Sequence, residues 1–230
     1  MKQIQLALDT SASRPTVAIL SGSQVLAEWL GSKEEHHSVS LLAGIDNVLQ
    51  TAKLQAKDLH FISVGIGPGM FTGLRIGVAT AKFFADLHNL PVAAVSSLLG
   101  LTLGADDTKG LASTAHVWAM NDARSGRVYA LCISADKLNS AHSTEENEEV
   151  ALTPEEILPH LQNGDLLLGE GAEIFQSSWP STVKLAAGDL HILKARHIAA
   201  AGLEIFQKGK CLSAVELLPR YLKTGQRHLP

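Results

Sequence analysis

The sequence predicts an α/β protein of two lobes, and three observations predict it. The opening thirty or so residues read as successive strands, the residues after them alternate helical and strand-like apolar periods, and that alternation returns only loosely in the second half. A chain of 230 residues has room for one large domain or two small ones. At this size roughly 70% of the unfolded surface is buried, so a core forms without staples.

Ile4 to Leu8 is an apolar run, Asp9-Thr10-Ser11-Ala12-Ser13 a polar turn, and Thr16 to Leu20 a second run. Ser21 to Gln24 turns again into a third strand, Val25 to Leu30. Two connections this tight favour antiparallel neighbours. From Ser38 to about Lys53, Leu41, Leu42, Ile45, Val48, Leu49 and Ala52 recur at three- and four-residue steps, the period of a helix. Between Val39 and Ala52 Asp46 is the sole charge, so this helix is expected to be deeply buried or docked on another subunit. Phe61 to Ile66 predicts a strand that runs through Gly67-Pro68-Gly69-Met70-Phe71-Thr72-Gly73 into a helix from about Leu74 to Leu87. Gly73, Gly77, Ala81 and Ala85 fall four apart and leave one flat stripe on it. Glycine inside a helix costs up to ~1 kcal/mol, which close packing must offset. Val92 to Val95 predicts a short strand, and Ser96-Ser97 a cap for the next helix.

At Asp106 to Gly110 the composition shifts, a candidate link that divides the chain into lobes 1–105 and 106–230, with the last helix packing back on the first. Strands are expected at Ala115 to Met120 and Arg127 to Ile133, around a turn at Asn121 to Gly126. Glu145-Glu146-Asn147-Glu148-Glu149 reads as a solvated loop. Pro154 suits the first turn of a helix capped by Thr153 and running toward Leu161. Leu166 to Leu168 reads as a short strand before Gly169-Glu170-Gly171, and a final helix spans roughly Ile192 to Gln207. No repeat of 20–50 residues is visible.

Hydrophobic residues make up 46% and charged residues 18%, which excludes general disorder. Lys and Arg number 19 against 23 Asp and Glu, a net charge of −4. That balance argues against a stand-alone nucleic-acid binder, because such binding rests on neutralising phosphates; an RNA substrate would need a partner's positive field. Cys132 and Cys211 are too far apart for a metal knuckle or a redox pair and read as buried thiols in a reducing compartment. Asp9 interrupts the apolar start, so no secretory signal is expected there. The stretch from Leu87 to Ala105 lacks Asp, Glu, Lys and Arg, but His88, Asn89, Pro91, Ser96 and Ser97 break it as a span. The expectation is a soluble cytoplasmic chain.

Several segments admit both a chemical and a structural reading. Asp9-Thr10-Ser11 suits a phosphate or magnesium turn, or an ordinary turn between strands. Gly67 to Gly73 offers backbone amides at a helix start, yet it matches neither phosphate-loop pattern, and Arg75 is the nearest cation. Asp122 and Arg124 would bind an anion or orient a partner, or simply cap and pair within their own turn. His36-His37 has Ser40 and Leu41 four residues on, so helical metal ligation is absent by count. No G-x-S-x-G and no nucleophile–base–orienter set is present.

Taken together, five segments resemble the TsaB (YeaZ) family, a subunit of the bacterial machinery that makes threonylcarbamoyladenosine on tRNA. Gly67-Pro68-Gly69-Met70-Phe71-Thr72-Gly73-Leu74-Arg75-Ile76-Gly77 is similar to that family's GPGSFTGLRIG. Asp9-Thr10-Ser11, His37-Ser38 with Leu41-Leu42, Asn121-Asp122-Ala123-Arg124, and Pro219-Arg220-Tyr221-Leu222 resemble its other signatures, in the expected order. Three positions depart from it: Met70 replaces the usual serine, Ala43 the usual proline, and Lys223 the usual arginine.

The resemblance implies an actin-like, sugar-kinase-like (ASKHA) two-lobed α/β fold. It implies a non-catalytic partner of the homologous subunit TsaD, which would hold the metal and transfer the threonylcarbamoyl group, with TsaE supplying ATPase action. Contact with tRNA would come only through that complex, and no membrane is involved. The low charge of the first two helices and the flat stripe suggest a docking surface of His37, Leu41, Leu42, Ile45, Phe71, Arg75, Val78, Ala81 and Lys82, used for self-pairing when the chain is alone. Asp9, Thr10, Gly69 and Arg75 are candidates for contact with ADP or ATP at the subunit junction, and no cofactor or metal of the chain's own is expected. The alternative is an active small-molecule kinase or ATPase of the same fold.

Overall fold

The computed structural model describes residues 3–34, 37–107, 112, 114–140 and 148–222. His36, residues 108–110 of the expected link, 145–147 of the acidic run and Lys223 lie outside the described residues, as does the side chain of His37.

Two five-stranded sheets form the frame. In the first, β1 (Ile4–Asp9) pairs antiparallel with β2 (Thr16–Ser21), and β2 with β3 (Gln24–Leu30). On its other side β1 runs parallel to β4 (Phe61–Gly65), and β4 to β5 (Val92–Val95). The second sheet has β6 (His116–Arg124) antiparallel to β7 (Arg127–Ser134) and β7 to β8 (Glu149–Leu152), while β9 (Leu166–Leu168) lies parallel to β6 and to β10 (Lys184–Leu185). The orders 3-2-1-4-5 and 8-7-6-9-10 are one topology used twice. Sequence periodicity shows no such repeat, because the side chains differ while the pairing pattern is kept.

Period-2 alternation divides the first sheet's two faces. Leu6, Leu8, Val17, Ile19, Ile62 and Val64 pack with Leu41, Ile45 and Val48 of α1 (His37–Ala52) and Val78, Ala81 and Ala85 of α2 (Phe71–His88). Ala7, Ala18 and Leu20 face the opposite way and join α3 (Ser97–Leu103), α6 (Ala195–Gln207) and the second sheet's Val117, Ala119 and Leu131 in one shared core. The far face of the second sheet, with Trp118, Met120, Val128 and Leu167, is closed by Ile157 of α4 (Pro154–Ile157) and Ala172 of α5 (Glu170–Ile174). The order of layers is therefore α1 and α2, sheet, α3 and α6, sheet, α4 and α5.

The last helix is fitted closely to the first sheet. Gln5 Nε2 donates to the Ala199 carbonyl at 3.2 Å, Ala195 N–H donates to Thr16 Oγ1 at 3.0 Å, and the Phe61 and Phe206 rings stack at 4.2 Å. Gly202 lies so near Ser63 that a Cβ would strike its hydroxyl. Among the described residues no helix is long and apolar enough to cross a membrane.

Several boundaries differ from the sequence reading. The second helix begins at Phe71, three residues early, and the last at Ala195, three residues late. The Asn121 segment is strand as far as Arg124, with an irregularity between Asp122 and Arg124, so the turn shrinks to Ser125-Gly126. Glu149 is no part of a solvated loop: it opens β8 and is buried. α1 is not deeply buried, since Val39 and Leu42 stand well out of it. The Ser96 cap holds, its hydroxyl accepting Leu99 N–H at 3.1 Å, and Thr153 with Glu156 forms a capping box.

Candidate functional site

The turn after β1 is closed on itself. Asp9 Oδ1 accepts the N–H and the hydroxyl of Ser11, both at 2.7 Å, and Oδ2 accepts the Ser97 hydroxyl at 2.6 Å. Thr10 Oγ1 donates to the Gly73 carbonyl at 2.7 Å, and Met70 N–H donates to the Ser11 carbonyl at 2.7 Å. The strand, loop and helix of residues 61–88 lie directly on this turn, and glycine makes the approach possible. A Cβ at Gly65 would strike the Asp9 carboxylate, at Gly69 and Gly73 the carbonyls of Ser11 and Thr10, and at Gly77 the Thr10 hydroxyl. The flat stripe is thus an internal seat.

Asp9, Thr10 and Gly69 are brought together, as the sequence grouped them, but the Asp9 and Thr10 side chains are buried and engaged with Ser11, Ser97 and Gly73. Arg75 is not with them. It lies on the outer side of α2, its guanidinium 3.9 Å over the Phe71 ring and its Nε donating to Tyr221 Oη at 3.1 Å.

One open space lies between the sheets, a cleft of about 160 Å³ whose lining includes Ser13, Met70, Asn121, Arg124 and Glu170. Each sheet reaches across it into the other's hairpin. Glu170, at the start of α5, accepts the Ser13 N–H at 3.1 Å and the Ser13 hydroxyl. In the reverse direction Asn121 Nδ2 donates to the Pro68 carbonyl at 3.4 Å, and Arg124 lies 3.6 Å from the Met70 sulfur. Arg124 also pairs with Asp122 at 3.2 Å, and Asp122 Oδ1 accepts the Arg124 N–H at 2.8 Å, so the cap and the pair are both present. Met70 lines the cleft.

Glu149 and Arg220 make a second connection between the sheets. Glu149 Oε1 accepts the Ser96 hydroxyl, and Oε2 lies 3.1 Å from the Arg220 guanidinium. Burial pushes the Glu149 carboxyl above its usual range, against the opposing pull of Ser96 and Arg220. The sequence reading singled out neither Glu149, which sits in a run of exposed-looking acids, nor Glu170, which was noted only as part of Gly169-Glu170-Gly171 after a strand. The duplicated topology would have found Glu170, because it starts the helix that corresponds to α2. Among the described residues no group of three or more His, Cys, Asp and Glu gathers as a metal site.

The residues expected on a docking surface divide sharply. Leu41, Ile45, Val78 and Ala81 are buried in the chain's own core and present nothing outward, because the helical stripe they form is the one packed on the sheet. Leu42, Phe71 and Arg75 are exposed, and Lys82 is half-buried beneath the carboxy-terminal segment. Val39 on α1 and Phe83 and Leu87 on α2 are exposed apolar side chains that the sequence reading left out.

Two lobes of repeated topology with the first hairpin turned toward an interlobe cleft define a protein of the actin-like, ASKHA class. The family model described as TsaD: tRNA N6-adenosine threonylcarbamoyltransferase matches residues 25–199. The tRNA threonylcarbamoyladenosine biosynthesis protein TsaB of Escherichia coli is 29% identical over 227 residues, covering 96% of this chain and 94% of its own. The YeaZ structure from Pseudomonas aeruginosa superposes with a TM-score of 0.79 at 26% identity, covering 96% of this chain and all of that one. An activator of 2-hydroxyisocaproyl-CoA dehydratase from Clostridium difficile, with a TM-score of 0.51 at 10% identity over 90% of this chain and 97% of its own, shares the fold alone. The chain belongs to the TsaD-type family and, within it, to the TsaB (YeaZ) proteins.

Proposed function

We propose that this chain is the accessory subunit of a complex that makes threonylcarbamoyladenosine in tRNA. It docks a TsaD-type transferase subunit that carries the metal and the transfer chemistry, works with a TsaE-type ATPase in the cytoplasm, and pairs with itself when alone. The observation that carries the reading is the outer face of α1 and α2, where Val39, Leu42, Phe71, Phe83 and Leu87 stand exposed. Apolar side chains gathered on a surface mark a protein interface more often than isolated ones do. A specific interface built on them would bury roughly 1,200–2,000 Å² in total.

The internal closure of the Asp9 turn supports a scaffold rather than a kinase. A phosphate-binding turn presents free amides and a carboxylate to its ligand, whereas here Asp9 holds Ser11 and Ser97, and Thr10 holds Gly73. A nucleotide at the subunit junction would then rest chiefly on groups of the partner. Co-purification with the TsaD-type subunit tests the docking face: Phe83→Asp is expected to abolish it, and undiminished capture would overturn the placement. Calorimetry with ADP and ATP on the free chain and on the assembled complex tests the nucleotide, which is expected to bind the complex alone.

A further inference from the structure

Beyond α6 the chain runs back over α2. Leu212 exchanges both backbone hydrogen bonds with Val92, at 2.8 and 2.9 Å, and Leu217 is buried. Lys82 Nζ donates to the carbonyls of Val215 and Leu217 at 3.3 and 3.1 Å. Arg220 N–H donates to the Ile66 carbonyl at 2.8 Å, and the next residue, Tyr221, sets its ring 5.2 Å from Phe71 and its hydroxyl on Arg75. The segment is a strap laid across the start of α2, and it engages Phe71, Arg75 and Lys82.

Arg220 is where this strap meets the second sheet. Its backbone is fixed to the loop after β4, while its guanidinium reaches Glu149 on β8. Glu149 Oε2 is buried and has no hydrogen-bond partner, so the guanidinium charge is what compensates it. A buried charge stripped of its partner is costly, which ties the strap's position to an acid of the other lobe.

We propose that the Glu149–Arg220 pair is a latch that holds residues 217–222 over Phe71 and Arg75, so that the second sheet positions the outer side chains of α2. Glu149 is a positioning residue, and the latch gives the second lobe a part in docking. The consequence for docking rests on the α1–α2 face being the one used; the latch itself does not.

Hydrogen exchange of the full chain tests it. In Arg220→Ala and in Glu149→Gln the amide of residue 220, which bonds the Ile66 carbonyl, and that of Leu74 at the start of α2 are expected to exchange at least tenfold faster, with β1 and β4 unchanged. Arg220→Lys, which keeps the charge, is expected to restore most of the protection. Unchanged protection in Arg220→Ala, loosening spread evenly over both sheets, or a lysine variant as loose as the alanine one would overturn the latch. With the purified TsaD-type subunit, Arg220→Ala is expected to raise Kd about tenfold, and an unchanged Kd with a freed strap would overturn the coupling. Failure of the unaltered chain to bind that subunit would instead remove the docking reading and leave the exchange data to judge the latch.

Discussion

The carboxylate of Glu170, on the second lobe, accepts the backbone N–H of Ser13, on the first, at 3.1 Å. The bond spans the cleft between the sheets, so it resists their separation. Charge-assisted hydrogen bonds contribute about 1.5–3 kcal/mol. Glu170→Ala is expected to lower stability by about 1–3 kcal/mol in urea unfolding, and Glu170→Gln, which keeps an acceptor, by less than half of that. Equal losses would show that packing, and not the carboxylate, carries the contact.

The close seat of α2 on the first hairpin predicts the effect of filling it. Gly77→Val places atoms against the Thr10 hydroxyl. Overpacking of this kind costs about 1–3 kcal/mol, more than the ~1 kcal/mol a helix regains on losing a glycine. A clear fall in Tm is expected, and a stabilised variant would contradict the packing described.

Leu41 and Leu42 are neighbours with opposite environments, the first fully buried and the second 53% exposed. Leu41→Ala is expected to cost about 2–5 kcal/mol. Leu42→Ala is expected to stay within about 0.5 kcal/mol while weakening self-association, which equilibrium sedimentation would read.

Glu149 sets a pH dependence whose sign follows from its raised pKa. The folded state holds this proton more tightly than the unfolded chain does, so its contribution is full below the ordinary carboxylate value. It fades as pH rises through the raised one. Glu149→Gln removes that loss, so the stability of the variant relative to the natural chain is expected to increase as pH rises above about 4 in denaturation series. A flat difference would refute the buried-acid assignment.

The two thiols should differ in reactivity. Burial, with Asp165 nearby, pushes Cys132 up to about 12, and burial raises Cys211 less far. The thiolate is the reactive form. At pH 8 Cys211 is expected to react first with a disulfide reagent, and Cys132 only on unfolding.

Much of the first lobe was legible in the sequence because its signals are local. The apolar runs Ile4 to Leu8 and Thr16 to Leu20, with a polar turn between them, announced a hairpin, and the glycine stripe announced a close approach. What the stripe approached was not legible, since a flat surface accepts a partner helix or the chain's own hairpin equally well. Arg75 was grouped with Asp9 by its closeness to Gly69 along the chain, but one helical turn carries it to the outer side of α2. The interlobe contacts of Glu149 and Glu170 depend on residues far apart in sequence, and nothing near either glutamate foretells them.

The helix of residues 195–207 fills the layer between the sheets, and among the described residues it is the last helix to leave the ribosome. Until it does, Ala7, Ala18 and Ala93 have no lid on their side of the first sheet. A nascent chain stalled before Gln207 would therefore show chaperones an open apolar flank, and the first sheet is not closed until α6 has been made.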